Sequence, residues 1–144
     1  AMLPFCGYNM ADYWAHWLAV GEVLGDKAPR VFSVNWFRKD DHGRWLWPGF
    51  GENSRAIEWA LRRVTGEAGA DDALTGRIPA PGGLNTAGME LSEADLAALF
   101  ALDPDAWADE ADLTEEYFGR FGDNVPAALH GELANLRARI AAAR

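Results

Sequence analysis

Apolar residues recur at helical spacing on both sides of an aromatic stretch in the first half of the chain. They predict a helix over residues 8–20, capped by Asn9 or Asp12. A second helix is predicted to open at Asn53 and to end before Gly66, a residue type that commonly follows a helix. The apolar positions of the second helix follow one face, which we expect to be buried: Ile57, Ala60, Leu61 and Val64.

Between these helices, β-branched and aromatic residues predict two short strands. The first covers residues 30–37 and the second covers residues 44–47. The four residues 40–43, Asp-Asp-His-Gly, are typical of a turn that joins such strands. Pro48 would end the second strand.

The second half of the chain is predicted to be mainly helical. Residues 67–84 are rich in Gly and Pro and predict a loop, with room for short pairing around 74–78. Ser92 begins a capping-box pattern, and Asp103 precedes a proline in the manner of a helix start. After Pro126 an apolar stripe follows: Leu129, Leu133, Leu136 and Ile140. These patterns predict an α+β fold.

Composition narrows the class of protein. The chain has 144 residues, of which 49% are hydrophobic, so one domain with a real core is expected. Cys6 is the single cysteine, which excludes an internal disulfide and favours a cytoplasmic setting. No apolar run reaches the roughly 18 residues of a membrane helix, so we expect no membrane partner.

Charge is distributed unevenly along the chain. Residues 1–64 carry eight Lys/Arg and seven Asp/Glu, whereas residues 65–144 carry five and fifteen. The net charge is −9. An acidic second half argues against duplex DNA as a partner, since contact with its phosphates requires a basic surface. The leading expectation therefore includes no nucleic-acid partner.

The stretch from Asn35 to Arg55 combines flat rings with cations and glycines. Stacking a base on an aromatic ring contributes about 1–3 kcal/mol, so the mixture suits a nucleobase or a sugar face. Glycine lets the backbone approach a ligand closely. The rings of this stretch are Trp36, Phe37, Trp45, Trp47 and Phe50. An alternative is that they are core residues, because aromatic side chains dominate most cores.

Motifs for catalysis are missing from the sequence. It contains no G-x-x-x-x-G-K-[S/T] loop and no G-x-G-x-x-G motif. Cys6 has no evident histidine partner, and the three histidines lack the spacing of zinc ligands. We therefore predict no catalytic residue and no metal ligand in this chain.

Three segments resemble one enzyme family. They are residues 4–9 (Pro-Phe-Cys-Gly-Tyr-Asn), 35–40 (Asn-Trp-Phe-Arg-Lys-Asp) and 46–55 (Leu-Trp-Pro-Gly-Phe-Gly-Glu-Asn-Ser-Arg). Their order and density resemble the C-terminal, guanine-pocket part of GTP-dependent phosphoenolpyruvate carboxykinase. The resemblance is dense up to Val64 and looser beyond Gly66.

The resemblance implies a guanine nucleotide, GTP or GDP, as the ligand of a nucleobase-binding loop. By position, Phe37, Trp45 and Phe50 match the rings that hold the base, although the family usually has Phe where Trp45 stands. Asn53 matches the residue that hydrogen-bonds the edge of the base. Gly51 and Glu52 complete the turn of the pocket.

The same resemblance implies a division of labour with an upstream part of a larger enzyme. That enzyme converts oxaloacetate and GTP to phosphoenolpyruvate, CO2 and GDP in gluconeogenesis, with Mn2+ or Mg2+ held by ligands outside this chain. The chain is then a single-domain C-terminal fragment, inactive by itself. Its expected parts are a nucleotide pocket (1–66), a loop-rich connection (67–90) and a helical part (91–144).

Two hypotheses of other classes stay open at this point. One is a free-standing module that stacks single-stranded RNA or a sugar on its Trp rings, with basic side chains on phosphates. Its residues would be Trp36, Trp45 and Trp47 with Arg38, Lys39 and Arg44. The other is an interaction domain whose rings are simply core and whose bare apolar surface promotes self-association.

Overall fold

The structure is a computed structural model that describes residues 2–144. Its helices and its two-stranded antiparallel sheet confirm the predicted α+β class. The elements are α1 (Met10–Leu24), α2 (Asn53–Val64), β1 (Ala70–Ala73), β2 (Gly76–Pro79), α3 (Glu93–Phe100), α4 (Pro104–Gly119) and α5 (Ala127–Ala143). No helix among residues 2–144 combines the length and apolarity needed to cross a bilayer.

The contacts divide the chain into two compact units. The helical unit combines the residues up to Pro29 with Asp103–Arg144, and the loop unit consists of Arg30–Leu102. The single domain with parts 1–66, 67–90 and 91–144 stays a prediction.

The helical unit is organised around aromatic packing at the start of α1. Asn9 caps this helix, since its Oδ1 accepts from the backbone N–H of Ala11 at 2.9 Å. Its Nδ2 donates to the carbonyl of Phe121 at 3.2 Å, which ties the helix start to the segment after α4. One turn further on, Trp14 packs against three rings of that region. These rings are Tyr117, Phe118 and Phe121.

The predicted helix starts in the second half are confirmed. Ser92 and Asp95 form a capping box at α3, and Asp103 caps α4 with a proline at the first helical position. α5 follows Pro126 and buries Leu133 and Ile140 from the predicted stripe. Local capping chemistry therefore sets the starts of α3 and α4.

The loop unit contains α2, the β1–β2 hairpin and α3. The hairpin pairs Ala70 with Pro79 and Ala73 with Gly76, so two residues form its turn. Trp59 of α2 is buried and donates from its indole N–H to the carbonyl of Gly69 at 3.4 Å. The helix is thereby anchored beside the hairpin.

The prediction of strands over residues 30–37 and 44–47 is wrong. Residues 30–37 form no ladder, and Val31 remains 86% exposed. The second segment pairs at a single bridge, between Lys39 and Trp45. β-propensity describes how well a side chain fits a pleated, packed surface, and residues 30–37 have no neighbouring strand to supply one.

The prediction of a buried apolar face on α2 is also wrong. The helix itself is confirmed and ends as expected before Gly66, which has a φ of +81°. However, Ile57, Leu61 and Val64 are 57%, 63% and 58% exposed, while Trp59 on the other face is buried. Helical spacing identifies an apolar face, but only the surrounding fold decides whether anything covers it.

Candidate functional site

The turn at residues 40–43 brings two of the predicted site rings together. Asp40 accepts from the backbone N–H groups of His42 and Arg44, each at 2.9 Å, and its own N–H donates to the carbonyl of Arg44. This closed turn confirms the turn prediction. It places the rings of Phe37 and Trp45 edge to face, with centroids 5.9 Å apart.

Both of these rings lie on the surface. Phe37 is 72% exposed and Trp45 is 50% exposed. The Lys39 ammonium lies 4.1 Å from the centre of the Trp45 ring, close enough for a cation–π interaction. The pair therefore presents exposed ring surface, with a cation beside it, rather than filling the core.

The third predicted ring stands apart from this pair. Gly49 adopts a φ of +123°, a value that favours glycine, and leads into a single 3₁₀ turn over Phe50–Glu52. Phe50 is 92% exposed and contacts no other ring within residues 2–144. The structure thus brings Phe37 and Trp45 together but leaves Phe50 alone on the following turn.

Asn53 is the first residue of α2 and is held by a tryptophan. The indole Nε1–H of Trp47 donates to Oδ1 of Asn53 at 2.8 Å. Trp47 is only 6% exposed and packs against the Trp36 ring, with centroids 6.0 Å apart. A buried, packed donor therefore fixes one side of the Asn53 amide.

The carboxylate of Glu52 is engaged within the protein. It forms an ion pair with Arg55, whose guanidinium also donates to the carbonyls of Asn85 and Ala87, each at 2.9 Å. Gly51 and Glu52 thus contribute backbone to the 3₁₀ turn over Phe50–Glu52, and the Glu52 side chain is held by Arg55. Arg55 anchors that turn to the loop around residues 85–87.

The basic side chains of the stretch are used to hold its turn in place. Arg38 donates to the carbonyl of Leu99 at 3.1 Å, and Arg44 forms ion pairs with Asp40 (3.0 Å) and Asp95. The hydrogen bond from Arg44 lowers the pKa of the Asp95 carboxyl below its usual value. The pKa of Asp40 is lowered chiefly by the hydrogen bond from the backbone N–H of Arg44.

These engagements bear on the RNA or sugar alternative. It requires Arg38 and Arg44 to reach phosphates, but both guanidinium groups are bound to protein acceptors. It also uses Trp47 as a stacking platform, whereas that ring is buried. The alternative is therefore not favoured.

Comparison with known proteins decides the family. A family model described as the phosphoenolpyruvate carboxykinase C-terminal P-loop domain matches residues 1–139. This chain belongs to that family. Its relatives named phosphoenolpyruvate carboxykinase [GTP] include a protein of Neocallimastix frontalis, 45% identical over 99% of this chain. Another from Chlamydia trachomatis is 46% identical over 97% of the chain, and one from Corynebacterium glutamicum is 40% identical over 99%.

The family match also shows what this chain does not span. The chain spans 24%, 23% and 23% of the lengths of those three relatives, or about a quarter of each. The description of the family names a P-loop domain, but the P-loop pattern G-x-x-x-x-G-K-[S/T] does not occur in these 144 residues. Within residues 2–144, no group of three or more His, Cys, Asp or Glu is arranged to hold a metal ion.

Sequence patterns did not predict the contacts of two residues that hold the candidate site together, Trp47 and Arg55. Both residues lie in the resembling segment 46–55, but the resemblance gave a role in the guanine pocket to neither. Their partners lie across a turn or 30 residues away, at Asn53 and Asn85. The one available signal was the short separation between Trp47 and Asn53 around a Pro-Gly turn, a pattern that does not by itself specify a hydrogen bond.

Proposed function

We propose that this chain supplies the base-binding site for GTP in a GTP-dependent phosphoenolpyruvate carboxykinase. The observation that carries the proposal is the exposed ring pair of Phe37 and Trp45, which we call the surface cluster. The same stretch of chain continues with the exposed Phe50 and with the half-buried Asn53, whose amide Trp47 orients. Burying a large apolar side chain contributes about 1.5–3 kcal/mol, so a ligand that covers Phe37 and Phe50 would gain free energy of that order from each ring. Membership of the family supports guanine as that ligand.

In this proposal each site residue has a separate role. Phe37 and Trp45 stack on the base, and Phe50 covers it from the following turn. Gly51 and Glu52 shape that turn, and Asn53 hydrogen-bonds the edge of the base. Guanine carries an acceptor at O6 and N–H donors at N1 and N2, which an amide and nearby backbone groups match.

The activity of the whole enzyme belongs to the same proposal. An upstream part would convert oxaloacetate and GTP to phosphoenolpyruvate, CO2 and GDP, in gluconeogenesis and in the cytoplasm. As the family resemblance implies, Mn2+ or Mg2+ would be held by ligands in that upstream part. This chain alone is expected to form no phosphoenolpyruvate from oxaloacetate and GTP when Mn2+ is present.

Calorimetric titration of the 144-residue chain with GDP and with ADP tests the base site. GDP should bind more tightly than ADP. Phe37→Ala should weaken GDP binding by about 5–150-fold, because losing one stacking partner costs about 1–3 kcal/mol. Phe5→Ala is the matched control, since Phe5 is 82% exposed but lies in the helical unit.

The control should bind GDP as the unaltered chain does. Equal affinity for GDP and ADP in the unaltered chain would overturn the proposal. So would an equal loss in the Phe5 and Phe37 variants, because the effect would then not come from the site.

A further inference from the structure

The hydrogen bond from Trp47 determines which way the Asn53 amide faces. An asparagine amide has an acceptor end and a donor end, and a half-turn about its terminal bond exchanges them. The indole N–H is a donor only, so the atom 2.8 Å from Nε1 must be the oxygen. The Nδ2 hydrogens of Asn53 therefore face away from Trp47.

The donor itself has little freedom to move. Trp47 is 6% exposed, and its neighbour Leu46 is 3% exposed and donates its N–H to the carbonyl of Arg38 at 2.9 Å. Trp36 packs on the indole from another side. Asn53 is equally constrained in its backbone, which is helical with φ −60° and ψ −29°. Only the side-chain torsions of Asn53 remain adjustable, and the Trp47 bond restrains them.

We propose that Trp47 is a positioning residue that sets the nucleotide specificity of the site by presenting Asn53 as a hydrogen-bond donor. This inference rests on the proposed function. In this arrangement the Nδ2 donor would face the base, where it matches the O6 acceptor of guanine and meets the N6 amino group of adenine donor to donor. Without the indole N–H the amide can turn round and offer its oxygen to adenine.

The first test is Trp47→Phe in the 144-residue chain, with dissociation constants for GDP and ADP measured by calorimetry. The variant keeps a packed ring but removes the donor. The preference for GDP over ADP should fall by about tenfold. ADP should bind more tightly, because the turned amide replaces a donor–donor mismatch with a hydrogen bond to the N6 amino group, and GDP should bind more weakly.

Trp36→Phe is the matched control, because it alters the ring beside Trp47 and leaves the bond to Asn53 in place. Its preference for GDP should be unchanged. A double-mutant cycle adds a measurement that a purely structural role would not affect. In an Asn53→Ala background, Trp47→Phe should no longer change the ratio of the two dissociation constants.

A second variant covers the case in which Trp47→Phe does not fold, as judged by circular dichroism. Replacing the indole of Trp47 by benzothiophene keeps the bicyclic shape and puts sulfur in place of N–H. It should lower the preference for GDP by the same factor.

The outcomes separate the inference from the function beneath it. If the unaltered chain prefers GDP and the variants without the indole N–H keep this preference, the role of Trp47 is overturned. The proposed base site is then unaffected. An unaltered chain without preference would overturn both. A preference that falls equally in the Trp36 control would also overturn the inference.

Discussion

Two groups of aromatic residues in the molecule, one in each unit, use the same residue types for opposite purposes. In the helical unit, Trp14 contacts three rings with centroids 4.9–6.1 Å away, and all four are at least partly buried. In the loop unit, Phe37 and Trp45 contact each other and Phe50 contacts no ring in the described part of the chain. Rings that pack against one another stabilise the fold, whereas rings exposed on the surface are available to a ligand.

The largest expected contrast is in stability. Trp14→Ala should lower the free energy of unfolding by about 3 kcal/mol, because it removes a ring from a packed cluster. Phe37→Ala should change it by no more than about 0.5 kcal/mol, as for most surface positions. Urea denaturation followed by circular dichroism measures both. Similar losses in the two variants would show that the surface rings are structural after all.

A smaller loss of stability is expected when Asn9 is replaced, because this residue joins the start of α1 to the segment that carries Phe121. Asn9→Ala should lower the free energy of unfolding by about 1 kcal/mol, since it removes the cap of α1 and the bond to the Phe121 carbonyl. Asn9→Asp keeps the capping oxygen but not the Nδ2 donor, and it should recover part of the loss. No recovery would mean that the bond to Phe121, and not the cap, carries the effect.

Within the surface cluster, Trp45→Phe should have a modest effect on GDP binding. A phenyl ring still stacks, but it offers the base and Lys39 a smaller face than the indole does. We expect the dissociation constant to change by less than about fivefold. A change as large as that of Phe37→Ala would indicate that the indole itself is required.

The smallest expected effect is a weakening, in acid, of the ion pairs that Arg44 forms with Asp40 and Asp95 beside Trp45. The pKa values of Asp40 and Asp95 are lowered in the folded chain, so their contribution to stability is complete above the ordinary carboxyl pKa. It is lost as the pH falls below about 4 and through the lowered values. GDP binding should weaken over that window. Arg44→Gln removes the ion pairs, so its binding should depend less on pH there.

The sequence predicted helix starts better than strand pairing. Helix starts at Ser92 and Asp103 follow from capping groups that act within one turn, so local chemistry suffices to place them. Residues 30–37 have the composition of a strand but no partner to pair with. Pairing is a long-range property, and composition does not report it.

For the candidate site, the residues came from the resemblance and their arrangement came from the structure. The assignment of Phe37, Trp45, Phe50, Gly51, Glu52 and Asn53 to a GTP site stays a prediction. The structure adds that two of the rings meet, that one stands apart, and that Glu52 is paired with Arg55. None of these relations is visible in residue spacing, since each depends on how the turns close.

By itself the sequence determined the α+β class, the starts of α3 and α4 and the family, because capping groups and ordered motifs are written into neighbouring residues. It did not determine every boundary, since the helix predicted over residues 8–20 runs from Met10 to Leu24. Only the tertiary structure decided which apolar residues are covered. Ile57 and Trp59 are two positions apart in α2, yet one faces solvent and the other is buried. Burial depends on what lies opposite a side chain, and that is a property of the folded chain as a whole.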